Sequence, residues 1–264
     1  MTEIRQVLGY SMTAATMAEV VGLCWRSIDD GERLQIGVLN AAKIVNAERD
    51  DALQAAIRAC DIIVADGQSV VWASRLLGQP LPERVTGIDL FLELLALADR
   101  KHLAVFLLGG TAAVNGRVVD VVGSQFPGAR IAGHRDGYFT DDDAVAREIA
   151  GSAPDMLFVA MGSPRKEIFL QRHQALMQVP LTHGVGGSFD ILAGVTKRAP
   201  ARWQSLGMEW AYRLLQEPGR MWKRYLRTNV LFGVMVGRAL GAQHPGLFRG
   251  PGRMQGEVSG DEHA

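Results

Sequence analysis

A phosphate-binding loop is predicted at residues 183–194, where the sequence reads HGVGGSFDILAG. The segment follows a short apolar run at 179–181 and crowds Gly184, Gly186 and Gly187 into four positions. Glycine lets a backbone approach a ligand closely, and a helix that starts after the loop would turn its N–H groups toward an anion. We expect Asp190 to belong to the same binding segment. The phosphate could be that of a dinucleotide or a nucleotide-sugar, and the loop could also bind none.

The dinucleotide interpretation is excluded by what surrounds these glycines. A dinucleotide fingerprint reads Gly-x-Gly-x-x-Gly after the first strand of a sheet, with an acidic residue about 20 positions later for the ribose. Here the glycines follow a late strand, and the residues at that distance are Arg202, Trp203 and Gln204. The next acidic residue is Glu209.

Two polar residues follow apolar runs that are typical of buried strands. Asn40 comes after 34–39, and Asp66 comes after 61–65 and is followed by glycine. Either side chain could cap the helix that begins there. The alternatives are an amide that holds a sugar or base at Asn40, and a general base at Asp66.

Two more loops have the composition of a phosphate site. Gly109 and Gly110 follow one apolar run and precede a helix, and residues 161–167 do the same, with Ser163 as the expected cap. Arg165 and Lys166 would oppose the helix dipole in that first turn, which suggests a bound anion as compensation. We count Glu167, in the same turn, among the substrate-binding residues.

Two polar loops need a choice between a structural and a chemical role. At 83–89, Thr86 can cap the next helix, and Arg84 can reach an anion or stay solvated; Asp89 follows in the first turn. The run Thr140–Asp143 suggests a metal site, but a threonine cap with acidic first-turn residues explains it better. We therefore predict no metal site and no cofactor.

These loops are positioned by an alternation of short apolar runs and helical patterns. The expected strands are 34–39, 61–65, 103–108, 129–133, 155–161 and 180–184. The expected helices are 41–59, 67–78, 88–101, 113–125, 141–151 and 164–177. Strands that are apolar along their whole length and alternate with helices predict an α/β fold, a mostly parallel sheet with helices on both faces. Ligands bind such a sheet outside the carboxyl ends of its strands.

The charges of the 264-residue chain are unevenly distributed although the net charge is zero. Residues 1–194 hold 17 basic and 23 acidic residues, whereas 195–253 hold 11 basic and 2 acidic residues. The zero total gives no reason to expect nucleic acid, and the basic segment predicts another anionic partner. Two cysteines without ligand spacing and the absence of a signal-like start favour a reduced cytosolic compartment. The apolar stretch at 230–237 is too short to cross a bilayer, which takes about 20 residues.

The basic segment reads as two helices, 206–216 and 220–240, separated at Pro218. In the second helix, a stripe of arginines should lie opposite an aromatic-rich face. The helix either docks on the domain with its arginines in solvent, or it presents a surface to anionic lipid headgroups or a substrate diphosphate. The arginines are Arg220, Arg224 and Arg227, and the opposite residues are Met221, Trp222, Tyr225, Leu226 and Phe232. We expect an α/β catalytic domain over 1–206, a helical membrane-proximal segment over 207–244 and a disordered tail over 245–264.

The segments together resemble the WecG/TagA/CpsF bacterial glycosyltransferases, glycosyltransferase family 26, over residues 35–227. The stretches that carry the resemblance, in the order of the family, are LNAAKIV, ADGQSVVWA, ERVTGIDL, FLLGG, GYF, PDMLFVAMGSPRKE, GVGGSFDILAG, KRAP and LGMEWAYRLLQEPGRMWKRYL. The most specific are the glycine loop with its later RAP and the segment EWAYRLLQEP.

The resemblance implies an enzyme that moves a sugar from a UDP-sugar to an undecaprenyl-diphosphate-linked glycan. It would act with inversion, without a bound metal, in the cytoplasm at the inner face of the plasma membrane. Asp66 matches the proposed base of the family and Asn40 its sugar-binding asparagine. The diphosphate-binding arginines match Arg213 and Arg220, with Lys223 or Arg224 as the third. The glycine loop would then face the nucleotide-sugar.

The chain departs from the family pattern at two places. Val38 stands where many members have threonine, and Pro-Arg-Lys-Glu at 164–167 replaces the common Pro-Lys-Gln-Glu. Both can alter the donor sugar among glucose, N-acetylmannosamine and N-acetylmannosaminuronic acid. Two alternatives are an NAD-dependent oxidoreductase, which lacks its ribose acid here, and a non-catalytic membrane-associated assembly protein. The sequence leaves the oligomeric state open, and a homo-oligomer is one of the alternatives.

Overall fold

A computed structural model of the chain describes residues 3–205, 208–216 and 218–243. Its strands are β1 (Glu3–Val7), β2 (Tyr10–Ala14), β3 (Leu34–Leu39), β4 (Ile62–Ala65), β5 (Ala104–Gly109), β6 (Arg130–Arg135), β7 (Met156–Ala160) and β8 (Leu181–Gly184). The last six form one parallel sheet in the order β4-β3-β8-β7-β5-β6. The predicted α/β class is confirmed, and each predicted strand is present within two residues of its expected ends.

Helices alternate with these strands. They are α1 (Met17–Asp29), α2 (Ala41–Ala47), α3 (Asp51–Arg58), α4 (Gln68–Leu76), α5 (Gly87–Lys101), α6 (Ala112–Gln125), α7 (Asp142–Ser152), α8 (Arg165–Met177), α9 (Ser188–Leu192), α10 (Ala201–Ser205), α11 (Glu209–Gln216) and α12 (Pro218–Gln243). Alternate residues of the strands pack on opposite layers: α1, α5 and α6 cover one face, and α2, α3, α4, α7, α8 and α12 cover the other. Burial on both faces explains why the strands are apolar throughout.

One predicted helix is divided in the structure, and an N-terminal β-hairpin was not predicted. The predicted helix 41–59 is two helices, because Asp50 accepts a hydrogen bond from the backbone N–H of Leu53 and starts α3. The N-terminal β-hairpin has a two-residue turn in which Leu8 and Gly9 both have positive φ, the geometry that connects adjacent antiparallel strands. This hairpin lies beside edge strand β4, where the Thr13 hydroxyl accepts from the N–H of Ile63.

The C-terminal helices follow the prediction with shifted ends. α11 begins at Glu209 and α12 already at Pro218, since proline lacks only an N–H that the first turn leaves unused. Among the described residues, no helix is both long and apolar enough to span a membrane. The predicted tail 245–264 lies outside the described residues, and the division of the chain after residue 206 stays a prediction.

Candidate active site

Asn40 and Asp66 lie side by side at the carboxyl edge of the sheet. Their strands are neighbours, with Leu39 paired to Ala65, and the backbone N–H of Asp66 donates to Leu39 O at 2.8 Å. A Cβ on Gly67 would come within 3.3 Å of the Asn40 side chain, so the chain after Asp66 packs directly against Asn40. Both residues are half-buried. The fold therefore places next to each other the two residues that the sequence predicted as catalytic.

Asn40 caps α2 and keeps one polar group unused. Its Oδ1 accepts from the backbone N–H of Lys43 at 3.0 Å, so the capping interpretation is confirmed. Within the described part of the chain, its amide nitrogen makes no hydrogen bond. That donor remains for a ligand at the edge of the sheet.

Asp66 does not cap the helix that follows it, so that alternative was wrong. Gly67 occupies the cap position of α4 and supplies no side-chain bond. Instead, Oδ1 of Asp66 accepts from the N–H of Gly87, the first residue of α5, at 3.1 Å. The bond orients the carboxylate from a helix that begins 21 residues later, and it leaves Oδ2 without a partner among the described residues.

A buried cluster of charges, formed by Lys43, Lys166 and Glu167, lies behind these strand ends. Oε1 of Glu167 is 2.9 Å from the Lys43 ammonium and 2.7 Å from that of Lys166. Burial alone would raise the pKa of Glu167, but the two ammonium groups lower it to about 2. Burial, with repulsion from Lys43, lowers the pKa of Lys166 to about 8. The two lysines and one glutamate leave an excess positive charge near Asp66, whose carboxylate acts on Lys166 electrostatically.

Both cations in the first turn of α8 are engaged by groups of the protein, so a bound anion is not needed to explain them. Lys166 is paired with Glu167, and Arg165 points away, donating to the carbonyls of Phe139 at 2.6 Å and Gly137 at 3.3 Å. The expected cap Ser163 is replaced at the cap position by Pro164, which makes no side-chain bond. The substrate roles of Arg165, Lys166 and Glu167 stay predictions.

The loop after β8 combines one packed glycine with two open ones. A Cβ on Gly184 would lie 3.2 Å from the Lys166 side chain, whereas nothing lies within 4 Å of such an atom on Gly186 or Gly187. Gly186 has φ +55°, a conformation that favours glycine. Asp190 lies in the first turn of α9 and holds the next loop, since its carbonyl accepts from Val195 and Thr196. The open glycines give a ligand access to the backbone.

Gly109 and Gly110 have a structural reason for being glycine. The φ of Gly109 is +121°, and a Cβ there would lie 2.3 Å from Ala160 O. The N–H of Gly110 donates to the same carbonyl at 3.0 Å. These glycines join the ends of β5 and β7, and their expected contact with substrate stays a prediction.

The acidic run at 140–143 forms the first turn of α7, with one change in its cap. Asp141, not Thr140, accepts from the N–H of Ala144. Asp143 lies 3.1 Å from the ring of His173, and Asp142 lies 3.6 Å from Arg165. The run thus has a structural role in starting α7 and joining it to α8.

The loop before α5 is connected to the C-terminal segment. Thr86 caps α5 by accepting from the N–H of Asp89. Arg84 reaches the Glu209 carboxylate at 3.0 Å, and Arg198 reaches Asp89 at 2.6 Å. The anion that Arg84 meets in this structure is therefore a side chain of the protein.

α12 docks on α2 with a different face from the one expected. Thr228, Phe232 and Val236 are buried at a spacing of four, whereas Trp222 and Leu226 are 49% and 59% exposed. Leu226 belongs with Trp222, Val230 and Val234 to an exposed apolar stripe on this helix. Of the predicted apolar face, Phe232 is buried, whereas Trp222 and Leu226 belong to the exposed stripe. The side chains of Arg213, Arg220 and Arg224 lie outside the described residues, so their role stays a prediction.

A groove of about 520 Å³ lies where α12 passes α2, α3 and the loop before α8. Arg49 and Arg227 line it, both exposed, together with Asn46 and Ser163. Leu53 and Asp50 line it as well, and one oxygen of Asp50 is engaged in capping α3. The two arginines and the apolar surface suit a phosphorylated ligand with an apolar part.

Some residues of this site had no predicted role. His183 is a completely buried polar residue of β8, and its side chain contacts the carbonyl of Gly87. Lys43 pairs with a glutamate 124 positions away. The available signal for His183 was a polar residue within a mostly apolar run. No local pattern identified the partner of Lys43.

Comparison with known proteins identifies the family of this chain and two of its relatives. The profile of the family described as "Glycosyl transferase WecG/TagA/CpsF family" matches residues 5–244. A relative from Bacillus spizizenii, named N-acetylglucosaminyldiphosphoundecaprenol N-acetyl-beta-D-mannosaminyltransferase, is 42% identical over 180 residues, which are 68% of this chain and 70% of the relative. A Bacillus subtilis protein of the same name is 43% identical over 166 residues, 63% of this chain and 64% of the relative. The second alignment thus spans less than two thirds of that relative.

Proposed function

The chain belongs to the WecG/TagA/CpsF family of glycosyltransferases, and from this we propose that it transfers an N-acetylmannosaminyl group from a UDP-sugar to N-acetylglucosaminyl-diphosphoundecaprenol. The names of the two Bacillus relatives support the transferred sugar and the acceptor. The observation that carries the chemistry is the pair formed by Asn40 and Asp66. One carboxylate oxygen of Asp66 accepts from the Gly87 N–H, while the other oxygen and the amide nitrogen of Asn40 make no hydrogen bond among the described residues.

The proposed reaction is a single displacement with inversion at the anomeric carbon. An acceptor hydroxyl attacks that carbon, the bond between the carbon and the UDP oxygen breaks, and Asp66 takes the hydroxyl proton. A general base of this kind contributes about 10²–10⁴-fold to the rate. Asn40 is proposed to donate to a sugar hydroxyl or acetamido group and so to hold the ring in line.

The departing UDP needs positive charge to stabilise it. The excess positive charge of Lys43, Lys166 and Glu167, which lie next to the glycine loop, supports donor diphosphate binding at that loop. We propose Arg213, Arg220 and Arg224 as additional groups that act when the C-terminal segment closes on substrate. No metal ion has a part in this proposal.

The acceptor is proposed to enter along the groove beside α12. Arg49 and Arg227 would meet its diphosphate, and the exposed stripe of Trp222, Leu226, Val230 and Val234 would contact the membrane surface. An apolar stripe within a basic segment is typical of helices that lie in the headgroup region. This arrangement would place the enzyme peripherally at the inner face of the membrane.

The experiment that tests the function is UDP release with a synthetic N-acetylglucosaminyl-diphosphate lipid, with EDTA present, over a panel of UDP-sugars. The wild type should turn over with UDP-N-acetylmannosamine, and Asp66→Asn should lose about 10²–10⁴-fold in kcat. Turnover with another donor would correct the sugar. Absence of turnover with every donor would favour a non-catalytic assembly role, and equal turnover in Asp66→Asn would remove Asp66 as the base.

A further inference from the structure

We propose that His183 positions the carboxylate of Asp66 for proton transfer by holding Gly87 between them. This inference rests on the proposed role of Asp66 as the base. His183 would touch neither the substrate nor the reacting atoms, so it is a positioning residue and acts through the backbone at the start of α5.

His183 lies in the middle of the sheet, where a polar side chain needs a partner. Strand β8 pairs with β3 on one side and β7 on the other, and the imidazole is completely buried. The ring of Phe158 packs edge-on to it, with 6.5 Å between the ring centres. Burying a polar group in such surroundings costs free energy unless it is hydrogen-bonded. The bond that His183 makes therefore decides how the ring is oriented.

That bond is to the carbonyl of Gly87, 3.1 Å from Nε2 of His183. A carbonyl only accepts, so Nε2 carries the hydrogen. Nδ1 is buried and has no partner among the described residues. Burial lowers the pKa of His183 to about 4 against the effect of the Gly87 bond, and the charges of Lys43 and Lys166 add to the lowering. The ring is thus a neutral donor at neutral pH.

Gly87 is held from its other side by the base. Its N–H donates to Oδ1 of Asp66 at 3.1 Å, while its carbonyl accepts from His183. Glycine has the least restricted backbone of all residues and no side chain to pack. The backbone at Gly87 is therefore held in place by its two hydrogen bonds. Without the donor at His183, the first turn of α5 can rotate and carry the Asp66 carboxylate with it.

The consequence for catalysis is geometric. Displacing a reacting group by about 1 Å can cost on the order of 10²-fold in rate. The loss should be in kcat, because Asp66 acts on the acceptor hydroxyl in the transition state, and not in the KM for the donor.

The test uses a matched pair of variants, His183→Gln and His183→Asn. Both place an amide in the core, but only the longer glutamine can bring its nitrogen to the position of Nε2. We expect His183→Asn to lower kcat about 10- to 100-fold with the donor KM within about 2-fold. His183→Gln should restore most of kcat. The Gly87 amide resonance in a ¹H–¹⁵N spectrum should shift in His183→Asn and return in His183→Gln.

A double-mutant cycle with Asp66→Asn separates positioning from mere folding. If His183 acts through Asp66, His183→Asn should cause no further loss of residual kcat in the Asp66→Asn background. An equal loss in both backgrounds, or wild-type kcat in folded His183→Asn, would overturn the proposal. If His183→Asn does not fold, His183→Met supplies a non-donor of similar size for the same cycle.

The same experiments distinguish failure of this inference from failure of the proposed function. Full turnover in Asp66→Asn would refute Asp66 as the base, whatever His183 does. Loss of turnover in Asp66→Asn together with wild-type turnover in His183→Asn would refute only the positioning role.

Discussion

The Arg84 guanidinium lies 3.0 Å from the carboxylate of Glu209, and it also donates to the carbonyl of Gln204 at 3.1 Å. These contacts span more than a hundred residues and join the loop beside Asp66 to the first residue of α11. Both partners are mostly buried, with 15% and 22% of their side chains exposed. The ion pair is thus a direct connection between the candidate active site and the basic C-terminal segment.

Replacing Glu209 by glutamine should loosen this segment without unfolding the domain. A partly buried ion pair of this kind contributes about 1–2 kcal/mol, which corresponds to roughly 10-fold faster local opening. Hydrogen–deuterium exchange at 208–216 should therefore accelerate about 10-fold in Glu209→Gln. The matched control is Glu3→Gln, which removes a pair between an exposed glutamate and the half-buried Arg5. Unchanged exchange at 208–216 would mean that α11 is held neither by the pair with Arg84 nor by the contact of Glu209 with Arg198 at 3.6 Å.

Replacing Lys166 by glutamine should stabilise the protein at neutral pH and not at high pH. The pKa of Lys166 is lowered from 10.5 to about 8, so between these values the unfolded chain binds more protons than the folded one. The wild type therefore gains stability as pH rises through this window, whereas Lys166→Gln cannot. At pH 7 the variant should therefore be the more stable of the two, with Glu167 still paired to Lys43.

Urea unfolding at pH 7 and pH 10 measures this difference. Arg117→Gln, at an exposed arginine that stays charged from pH 7 to pH 10, serves as the control, and its difference from wild type should not change with pH. A constant difference for Lys166→Gln would contradict the cost assigned to the buried ammonium.

Replacing Glu167 by glutamine should destabilise the protein at neutral pH, because two buried ammonium groups then lose their common partner. The expected loss is about 3 kcal/mol. The pKa of Glu167 is lowered from 4.5 to about 2, so its stabilisation is complete above pH 4.5 and is lost as pH falls toward 2.

The difference from wild type should accordingly be largest in urea unfolding at pH 7 and shrink below pH 4.5. The double variant Lys166→Gln/Glu167→Gln should recover part of the loss, since only Lys43 remains unpaired. If the double variant is no better than Glu167→Gln, the loss does not come from unpaired charge.

The sequence predicted the fold and the strand ends because both follow from local patterns. Apolar runs that end in Asn40 and in Asp66-Gly67 identify neighbouring strands, and parallel strands expose their carboxyl ends at one edge. The hairpin at 3–14 also had a local signal, in alternating residues around Leu8-Gly9, that the prediction did not use.

The partners of the site residues could not be predicted in the same way. Arg84 meets Glu209, Lys43 meets Glu167, and His183 meets Gly87 across separations of 96 to 125 residues. Such contacts depend on strand order and on the docking of helices, which no local spacing encodes. The sequence therefore indicated that Arg84 can pair with an anion, but it could not identify Glu209 as that anion.

Replacement by alanine should lower the stability strongly at Gly109 and hardly at all at Gly187. In Gly109→Ala the new Cβ would lie 2.3 Å from Ala160 O at a φ of +121°, so the strand ends must move apart. The expected cost is about 3 kcal/mol or more, visible as a lower melting temperature. In Gly187→Ala the Cβ enters open space at φ −75°, so stability should change by less than about 0.5 kcal/mol.

If the glycine loop faces the donor, Gly187→Ala should nevertheless raise the KM for the UDP-sugar several-fold at unchanged stability. A wild-type KM in this folded variant would remove the backbone at Gly187 from the donor site.

Proline at position 87 should remove the hydrogen bond to Asp66 with little harm to the helix. Proline is favoured at the first position of a helix, and Thr86 already has the extended backbone that a following proline requires, with φ −77° and ψ 144°. Gly87→Pro therefore deletes the N–H that Asp66 accepts and puts the ring Cδ in its place, so the Asp66 carboxylate must move away from α5. Gly87→Ala keeps that N–H and adds a Cβ at an ordinary 3.6 Å from Val38, which makes it the matched control.

We expect kcat to fall about 10- to 100-fold in Gly87→Pro and to stay near wild type in Gly87→Ala. Circular dichroism and melting temperature should show both variants folded. Because His183 reaches Asp66 only through Gly87, adding His183→Asn to Gly87→Pro should lower kcat no further. Wild-type kcat in folded Gly87→Pro would show that the carboxylate needs no support from α5, and a further loss in the double variant would give His183 a route to the site other than Gly87.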